Sequence, residues 1–139
     1  FLVYQFFDLF LRKIIEVARE DLLFVDPYLD AEFVSRYLPR VAAGVSIRLL
    51  TGSSTNRLAD LMPSVAMVSK QNGSSIQVRS SQGLHDRFVF VDRRACYLSG
   101  ASFRDGALKA TTVLTQIADA FAAIWKAYDD LWVAATVQK

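Results

Sequence analysis

Two side chains in the sequence have the types and the spacing for phosphoryl chemistry. His85 is the only histidine in the chain, and Arg87 lies two positions after it. We predict that residues 84–105 form a strand–turn–strand. Because side chains alternate across a strand, the two would share one face, with Asp86 and Phe88 on the other. A guanidinium matches phosphate oxygens, and an imidazole can act as acid, base or nucleophile near neutral pH. The pair therefore predicts a site that binds and attacks a phosphoryl group.

Other polar residues around this segment each have two interpretations. Asp92 ends the first strand and would point to the face opposite His85 and Arg87. We therefore expect it to cap the turn or to pair with Arg93, Arg94 or another cation. Lys109 follows a loop that contains glycine, and it would either add a positive charge to the site or be a solvated loop lysine. Ser102 would either stabilise the turn or contact phosphate. The candidate phosphate ligands are therefore the arginine of the pair, Ser102 and Lys109.

This segment resembles the motif of a known family. The run HDRFVFVD (85–92) resembles the HxKxxxxD motif of the phospholipase D superfamily, with arginine at the lysine position. The family continues with a second strand and a glycine-led turn of type GSxxN, and this sequence has YLSGAS (97–102) in that place. Residues 26–28 after one strand and 48–51 at the end of another also fit the layout of that fold. The resemblance covers most of the chain, and residues 85–102 carry its motif.

The resemblance implies a phosphodiesterase that acts without a metal or any other cofactor. His85 would be the nucleophile and form a phosphohistidine that water then hydrolyses, while Arg87 and Lys109 would neutralise the nonbridging oxygens. A complete site in the family has two motifs, and the second histidine protonates the leaving group. Because this chain has one histidine, the second would come from another subunit across a two-fold axis or from a missing part of the parent protein. We expect a homodimer.

The sequence departs from the family's pattern at three points. Arginine replaces the lysine of the motif, which keeps the charge but changes the hydrogen-bonding geometry. Phe103 stands where the family has asparagine after the turn led by Gly100, so Ser102 or Asp105 would have to replace that asparagine. No carboxylate that would orient the nucleophilic histidine is identified, since residues 107–118 contain no Asp or Glu. Each of these three departures lowers the expected catalytic activity.

Two functions therefore remain open at this point. The first is a phospholipase D-like phosphodiesterase, and we expect a nuclease, because short single-motif members of that family resemble endonucleases more often than lipases. The second is a degenerate, non-catalytic module for dimerisation or for binding nucleic acid or phosphate within a larger protein, which the three departures favour. The expected partners are nucleic acid or another phosphodiester substrate and a second copy of the chain.

The elements that would position these residues form an α/β fold. The early alternation of helices and strands favours parallel pairing of the first strands. The strand–turn–strand of residues 84–105 is a hairpin, so part of the sheet must be antiparallel. We expect a mixed, mostly parallel β-sheet flanked by helices on both faces, as in phospholipase D-like proteins. Apolar periodicity, caps and turn residues predict helices over residues 4–20, 31–43, 57–71 and 118–135, and strands over 21–26, 45–51, 76–79, 86–91, 95–98 and 111–117.

Three further features have structural explanations. Arg79, on the strand before the motif, is expected to be structural. Trp125 and Trp132 recur at helical spacing on the last helix, which is typical of core packing rather than of a base-stacking platform. The small polar residues 53–56 could donate to phosphate oxygens, but such residues after a strand usually form an ordinary loop.

Length and composition exclude several classes of protein. The 139 residues suit one domain over 1–139, which we expect to be part of a longer protein because it opens at Phe1. A net charge of +2 is too mild to indicate nucleic-acid binding by itself. Cys96 lies in an apolar run and is expected to be a buried thiol in a reducing compartment, and one cysteine with one histidine excludes a zinc site. No apolar stretch reaches the length of a bilayer, so we expect a cytoplasmic protein without membrane contact.

Overall fold

The computed structural model describes residues 2–104 and 113–139, and their side chains from residue 7 onward. These residues form a seven-stranded sheet with the strand order β6-β5-β4-β1-β2-β3-β7 and four α-helices. In chain order the elements are α1 (Leu2–Val17), β1 (Asp21–Val25), α2 (Ala31–Tyr37), a 3-10 turn (Leu38–Arg40), β2 (Ser46–Thr51), α3 (Thr55–Asn72), β3 (Ser75–Ser80), β4 (Phe88–Val91), β5 (Ala95–Ser99), β6 (Leu114–Ile117), α4 (Phe121–Ala134) and β7 (Thr136–Gln138).

The pairing of the strands divides the sheet into a parallel and an antiparallel part. β1 pairs with β2 and β2 with β3 in parallel. The pairs β1–β4, β4–β5, β5–β6 and β3–β7 are antiparallel. The predicted mixed α/β sheet with helices on both faces is confirmed. Its parallel pairing is confined to three strands, however, so the sheet is less parallel than expected.

Helices cover the two faces of the sheet and enclose two cores. α1, α2 and α3 contribute to the first core, which also takes Leu22 and Phe24 of β1. α4 contributes Trp132 to the second core, together with Leu23 and Val25 of β1. Because successive side chains point to opposite faces, β1 is buried from both sides. In the part of the chain that the structure describes, no helix has the length and apolar character needed to cross a bilayer.

The two tryptophans of α4 pack in the second core, as predicted. The guanidinium carbon of Arg48 lies 5.4 Å from the ring centroids of both Trp125 and Trp132. The same guanidinium pairs with Asp21 at 3.1 Å. Arg79 lies over Trp132 at 4.6 Å and donates to its carbonyl oxygen at 2.9 Å, so its contacts are structural. These arginines link the sheet to α4 through cation–π contacts.

Several elements differ in extent from the prediction. α2 ends at Tyr37 instead of continuing to residue 43, because Pro39 lacks the amide hydrogen that an α-helix needs and its ring obstructs the preceding turn. α3 is longer than predicted and contains Pro63 within it. The short edge strand β7 was not predicted, since three residues carry no readable periodicity. Residues 111 and 112 of the last predicted strand lie outside the described part.

The predicted first strand of the hairpin is wrong at its start. β4 begins at Phe88, so His85 and Arg87 lie in the segment before it. The reason is the length of the neighbouring strand, because β1 ends at Val25, which pairs with Phe88. On the other side, the amide of Ser99 still donates to the carbonyl oxygen of Arg87 at 2.9 Å. The segment is therefore held by β5, and among the described residues its backbone has no hydrogen bond to β1.

The turn of the hairpin between β4 and β5 is tied to the start of β1 through the carboxylate of Asp92. The hairpin turns at Asp92 and Arg93, whose φ values of 55° and 56° are those of a type I′ turn. The Asp92 carboxylate accepts hydrogen bonds from the backbone amides of residues 19, 20 and 21, at 2.8 to 3.1 Å. Burial acts to raise the pKa of Asp92, but these amides and Arg94 together lower it below its usual value. The carboxylate is thus favoured in its charged form.

Replacing Asp92 by asparagine should reduce stability in a pH-dependent way. Asparagine tolerates positive φ but loses the charge that strengthens these hydrogen bonds, so the free energy of unfolding should fall by about 1–2 kcal/mol near neutral pH. Because the folded-state pKa is lowered, this contribution is present above the ordinary pKa of 3.8 and disappears as the pH falls through the folded value. Urea denaturation at about pH 7 and about pH 3 measures the loss of stability and its dependence on pH.

The matched control for this experiment is Asp60→Asn, at an exposed position on α3. It should leave the free energy of unfolding nearly unchanged, as is usual for surface substitutions. A difference between wild type and Asp92→Asn that persists unchanged at the lower pH would contradict the role given to the carboxylate.

Candidate functional site

Four chain segments meet at one edge of the sheet. β1 and β2 are parallel and end there, at Val25 and Thr51. β4 is antiparallel to β1 and begins at the same edge, and β5 returns to it at Ser99. The segments that follow β1, β2 and β5 therefore lie beside the segment that precedes β4. That last segment carries His85 and Arg87.

His85 is exposed at this edge, directly before the residues that anchor the segment to α4. The carboxylate of Asp86 accepts a hydrogen bond from the hydroxyl of Tyr128 at 2.5 Å, and the ring of Phe88 lies 5.2 Å from the same tyrosine. Asp86 and Phe88 thus face α4, on the same side as each other, as predicted. Among the described residues, no hydrogen bond or ion pair orients the His85 imidazole.

Arg87 is half-buried. Its Nε atom is buried and has no hydrogen-bond partner within the residues that the structure describes. Its positive charge acts on the carboxyl group of Asp26, the residue that follows β1. The structure therefore brings His85 and Arg87 to the same edge of the sheet, with the guanidinium partly beneath the surface.

Asp26 is the buried centre of this edge, with none of its surface exposed. One carboxylate oxygen accepts from the amide of Tyr28 at 2.8 Å. The other accepts from the hydroxyl of Ser102 at 2.8 Å and from the amide of Phe103 at 2.6 Å. Burial raises the pKa of Asp26, while these three donors and the charge of Arg87 oppose the rise. Asp26 thus joins the segment after β1 to the segment after β5.

The turn after β5 differs from what the family motif implies. Ser102 is buried and bonds to Asp26, and the side chain of Phe103 packs in the core, with its ring 5.4 Å from that of Phe24. Phe103 therefore does not point into the site in place of an asparagine. Gly100 is exposed, and its amide donates to the carbonyl oxygen of Val113 at 3.1 Å.

Two predicted residues cannot be placed. Lys109, predicted to bind phosphate, and Asp105, predicted as a supporting residue, lie outside the described residues. Within the described ranges, no three His, Cys, Asp or Glu side chains are grouped so that they could hold a metal ion.

The sequence interpretation missed Arg57, at the start of α3. Its Nη1 atom donates to the carbonyl oxygen of Leu29 at 3.0 Å and to the hydroxyl of Thr51 at 3.1 Å. Burial lowers the pKa of Arg57 below its ordinary value, and the negative charge of Asp26 opposes this lowering. The two side chains therefore interact electrostatically. Arg57 thus fastens the segment after β1 to the end of β2 beside the buried carboxylate.

Asp26 and Arg104 were also missed as site residues. Asp26 was noted only as part of the fold's layout, although an aspartate directly after a buried strand and before a proline is a signal for a side chain at a sheet edge. Arg104 lies over the ring of Tyr28 at 5.4 Å, and its amide donates to the Ser102 hydroxyl at 3.2 Å. No sequence pattern indicated that this arginine would meet Tyr28.

Comparison with known proteins places this arrangement in a recognised fold. No protein-family model matches the sequence, and no curated protein matches it. Solved structures do match. NucT from Helicobacter pylori superimposes with a TM-score of 0.69 at 12% identity, over 99% of this chain and 94% of NucT. Nuc from Salmonella typhimurium, a phospholipase D family member, gives 0.66 at 13% identity, over 94% of this chain and 90% of Nuc.

A third structure belongs to a protein of another kind. TrmBL2, an archaeal chromatin protein that shows a novel mode of DNA binding, matches with a TM-score of 0.65 at 16% identity. The match covers 96% of this chain but 50% of TrmBL2. At such identities the likeness concerns the path of the chain rather than its chemistry. Together with the mixed sheet and the helices on both faces, these matches show that the chain has a phospholipase D-like fold.

Proposed function

We propose that the chain is a phospholipase D-like phosphodiesterase that cleaves nucleic acid without a metal, through a phosphohistidine at His85. The observation that carries this proposal is the exposed His85 imidazole at the sheet edge to which Arg87 also belongs. An exposed imidazole can reach a phosphodiester in a polymer, and a neighbouring guanidinium can stabilise the charge on the nonbridging oxygens.

In the proposed reaction, a ring nitrogen of His85 attacks phosphorus as the bond to one ester oxygen breaks. That oxygen leaves with a proton from a second histidine, and water then attacks the phosphohistidine and releases His85 and the phosphate monoester. Because the chain has one histidine, the proton donor would be His85 of a second copy across a two-fold axis. Arg87, with Lys109 as a further candidate, would neutralise the nonbridging oxygens.

A second candidate function is a non-catalytic module that binds phosphate or nucleic acid. The electrostatic interaction between Arg87 and the buried Asp26 favours it, because part of the arginine's charge serves the carboxylate rather than a ligand. The His85 imidazole, without an orienting hydrogen bond among the described residues, also fits binding better than catalysis. TrmBL2, a DNA-binding protein of which this chain matches 50%, is consistent with either function.

Replacing His85 by alanine should abolish cleavage, because no other side chain in the chain offers an imidazole. We expect the rate to fall by roughly a thousandfold or more, as for other nucleophile deletions. The assay incubates wild type and variant with single- and double-stranded DNA and RNA in the presence of EDTA. Arg93→Ala, at the exposed tip of the hairpin, is the control and should keep full activity. A wild type that binds these polymers and releases no product would support the module instead.

Mixing subunits tests the shared site. If each reaction needs His85 from both copies, then an equimolar mixture of wild type and His85→Ala, after subunit exchange, should have about one quarter of the activity of the same total amount of wild type. Random pairing leaves about that fraction of dimers with two histidines. An activity of about one half, or a monomeric mass by light scattering across concentrations, would show that each chain acts alone.

A further inference from the structure

A pocket of about 500 Å³ opens beside the buried Asp26, between the segment after β1, the start of α3 and the segment after β5. Its walls include Tyr28, Asn56, Arg57, Asp60 and Arg104. This volume lies within the range of small-molecule sites and is sufficient for a nucleotide. Neither His85 nor Arg87 is among the described residues that line it, so it is distinct from these two side chains at the same edge.

We propose that this pocket binds an unpaired nucleobase of the strand whose phosphate reaches His85. The inference rests on the proposed action on nucleic acid, and it names the feature of that substrate which the pocket would recognise. It also applies to the non-catalytic module, because base binding does not require cleavage.

The pocket is structurally coupled to the candidate site through one carboxylate. Asp26 accepts from the amide of Tyr28, which fixes the backbone that presents the tyrosine ring. Asp26 also accepts from the Ser102 hydroxyl, which in turn accepts from the amide of Arg104. Arg87 acts electrostatically on the same carboxyl group, so Asp26 interacts both with the walls of the pocket and with the candidate phosphate-binding residue.

The opposite wall is held just as firmly. Arg57 is fixed by its hydrogen bonds to Leu29 and Thr51. Gly52 allows this arrangement, because a Cβ at its position would lie 2.7 Å from the carbonyl oxygen of Pro27 and 3.0 Å from Nη2 of Arg57. The two loops therefore approach each other closely, and the pocket exists without a ligand to shape it.

The chemistry of the walls suits a base better than a bare phosphate or a lipid tail. Tyr28 is 47% exposed, and aromatic rings of this kind serve as sequence-tolerant platforms for unpaired bases. Asn56 and Asp60 offer amide and carboxylate groups that match the donors and acceptors of base edges. Arg57 and Arg104 are positively charged next to these groups, which suits the phosphates on either side of the base. Among the described residues that line the pocket, none has an aliphatic side chain of the kind that holds a lipid tail.

The test compares binding of two oligonucleotides of equal length and charge, one of thymidines and one with abasic sites in place of the bases. Binding is measured by fluorescence anisotropy in EDTA. All proteins in the comparison carry His85→Ala, so that cleavage does not disturb the measurement. We expect the thymidine strand to bind about tenfold more tightly than the abasic strand, as stacking of one base on an aromatic ring predicts. A single-stranded sample should bind more tightly than the same strand in a duplex.

Variants of Tyr28 assign this preference to the pocket. Tyr28→Ala, and Tyr28→Leu, which keeps an apolar side chain, should both abolish the preference, whereas Tyr28→Phe should keep it. Phe10→Ala, which removes an exposed aromatic ring on α1, should also keep it. Equal affinity for both strands in the background protein, or a preference that survives in Tyr28→Ala, would overturn the inference.

These outcomes separate the pocket from the proposed reaction. A wild type that prefers the thymidine strand but cleaves nothing would contradict the catalytic role of His85 and support the pocket. A wild type that cleaves oligonucleotides but binds thymidine and abasic strands equally would contradict the pocket and leave the proposed reaction intact.

Discussion

The edge of the sheet depends on the burial of one carboxylate, that of Asp26. A buried carboxylate is unfavourable unless hydrogen bonds and opposite charges replace the water that it loses. Here three donors surround it, from Tyr28, Ser102 and Phe103, and the charges of Arg87 and Arg57 act on it from outside. The need to satisfy this group determines where the segments after β1 and β5 can lie.

This constraint offers a physical explanation for arginine at the position where the motif that the sequence resembles has lysine. A guanidinium carries five donors in one plane, so it can direct one nitrogen inward and keep others available, which a single ammonium group does less readily. The Nε atom of Arg87 is buried, but the residue as a whole is only half-buried, so part of it remains exposed. On our proposal, its charge serves both the buried Asp26 and a bound phosphate.

The same constraint accounts for the position of Phe103. Its amide is committed to Asp26, and its ring fills the core near Phe24 and Phe33. A polar side chain at this position would be buried among aromatic rings, which is unfavourable without a partner. The family's asparagine therefore has no equivalent here in the described part of the site.

The sequence was informative where hydrophobic patterns and turn residues act locally. The mixed α/β sheet, the hairpin and the burial of Trp132 follow from periodicity and from the turn at Asp92. The start of β4 could not be predicted, because it depends on where the neighbouring β1 ends. A strand read from its own residues alone extends as far as its pattern allows, whereas the folded strand extends as far as its partners do.

The candidate site was predictable to a smaller extent. His85 and Arg87 were identified by residue type and spacing, and both lie at one edge of the sheet. Asp26 and Arg57 were missed because their importance arises from contacts between segments that are distant in the chain. Such contacts leave no local pattern, since the donors to Asp26 are separated from it by as many as 77 residues.

The most direct test of this account is an NMR titration of the backbone amide protons of Tyr28 and Phe103. Both donate to the Asp26 carboxylate, so their chemical shifts should change together as the pH is lowered. Because burial raises the pKa of Asp26, their common midpoint should lie above the ordinary value of 3.8, and the change should vanish in Asp26→Asn. Two amides that titrate independently, or that respond in the same way in Asp26→Asn, would contradict the claim that one buried carboxylate organises this edge.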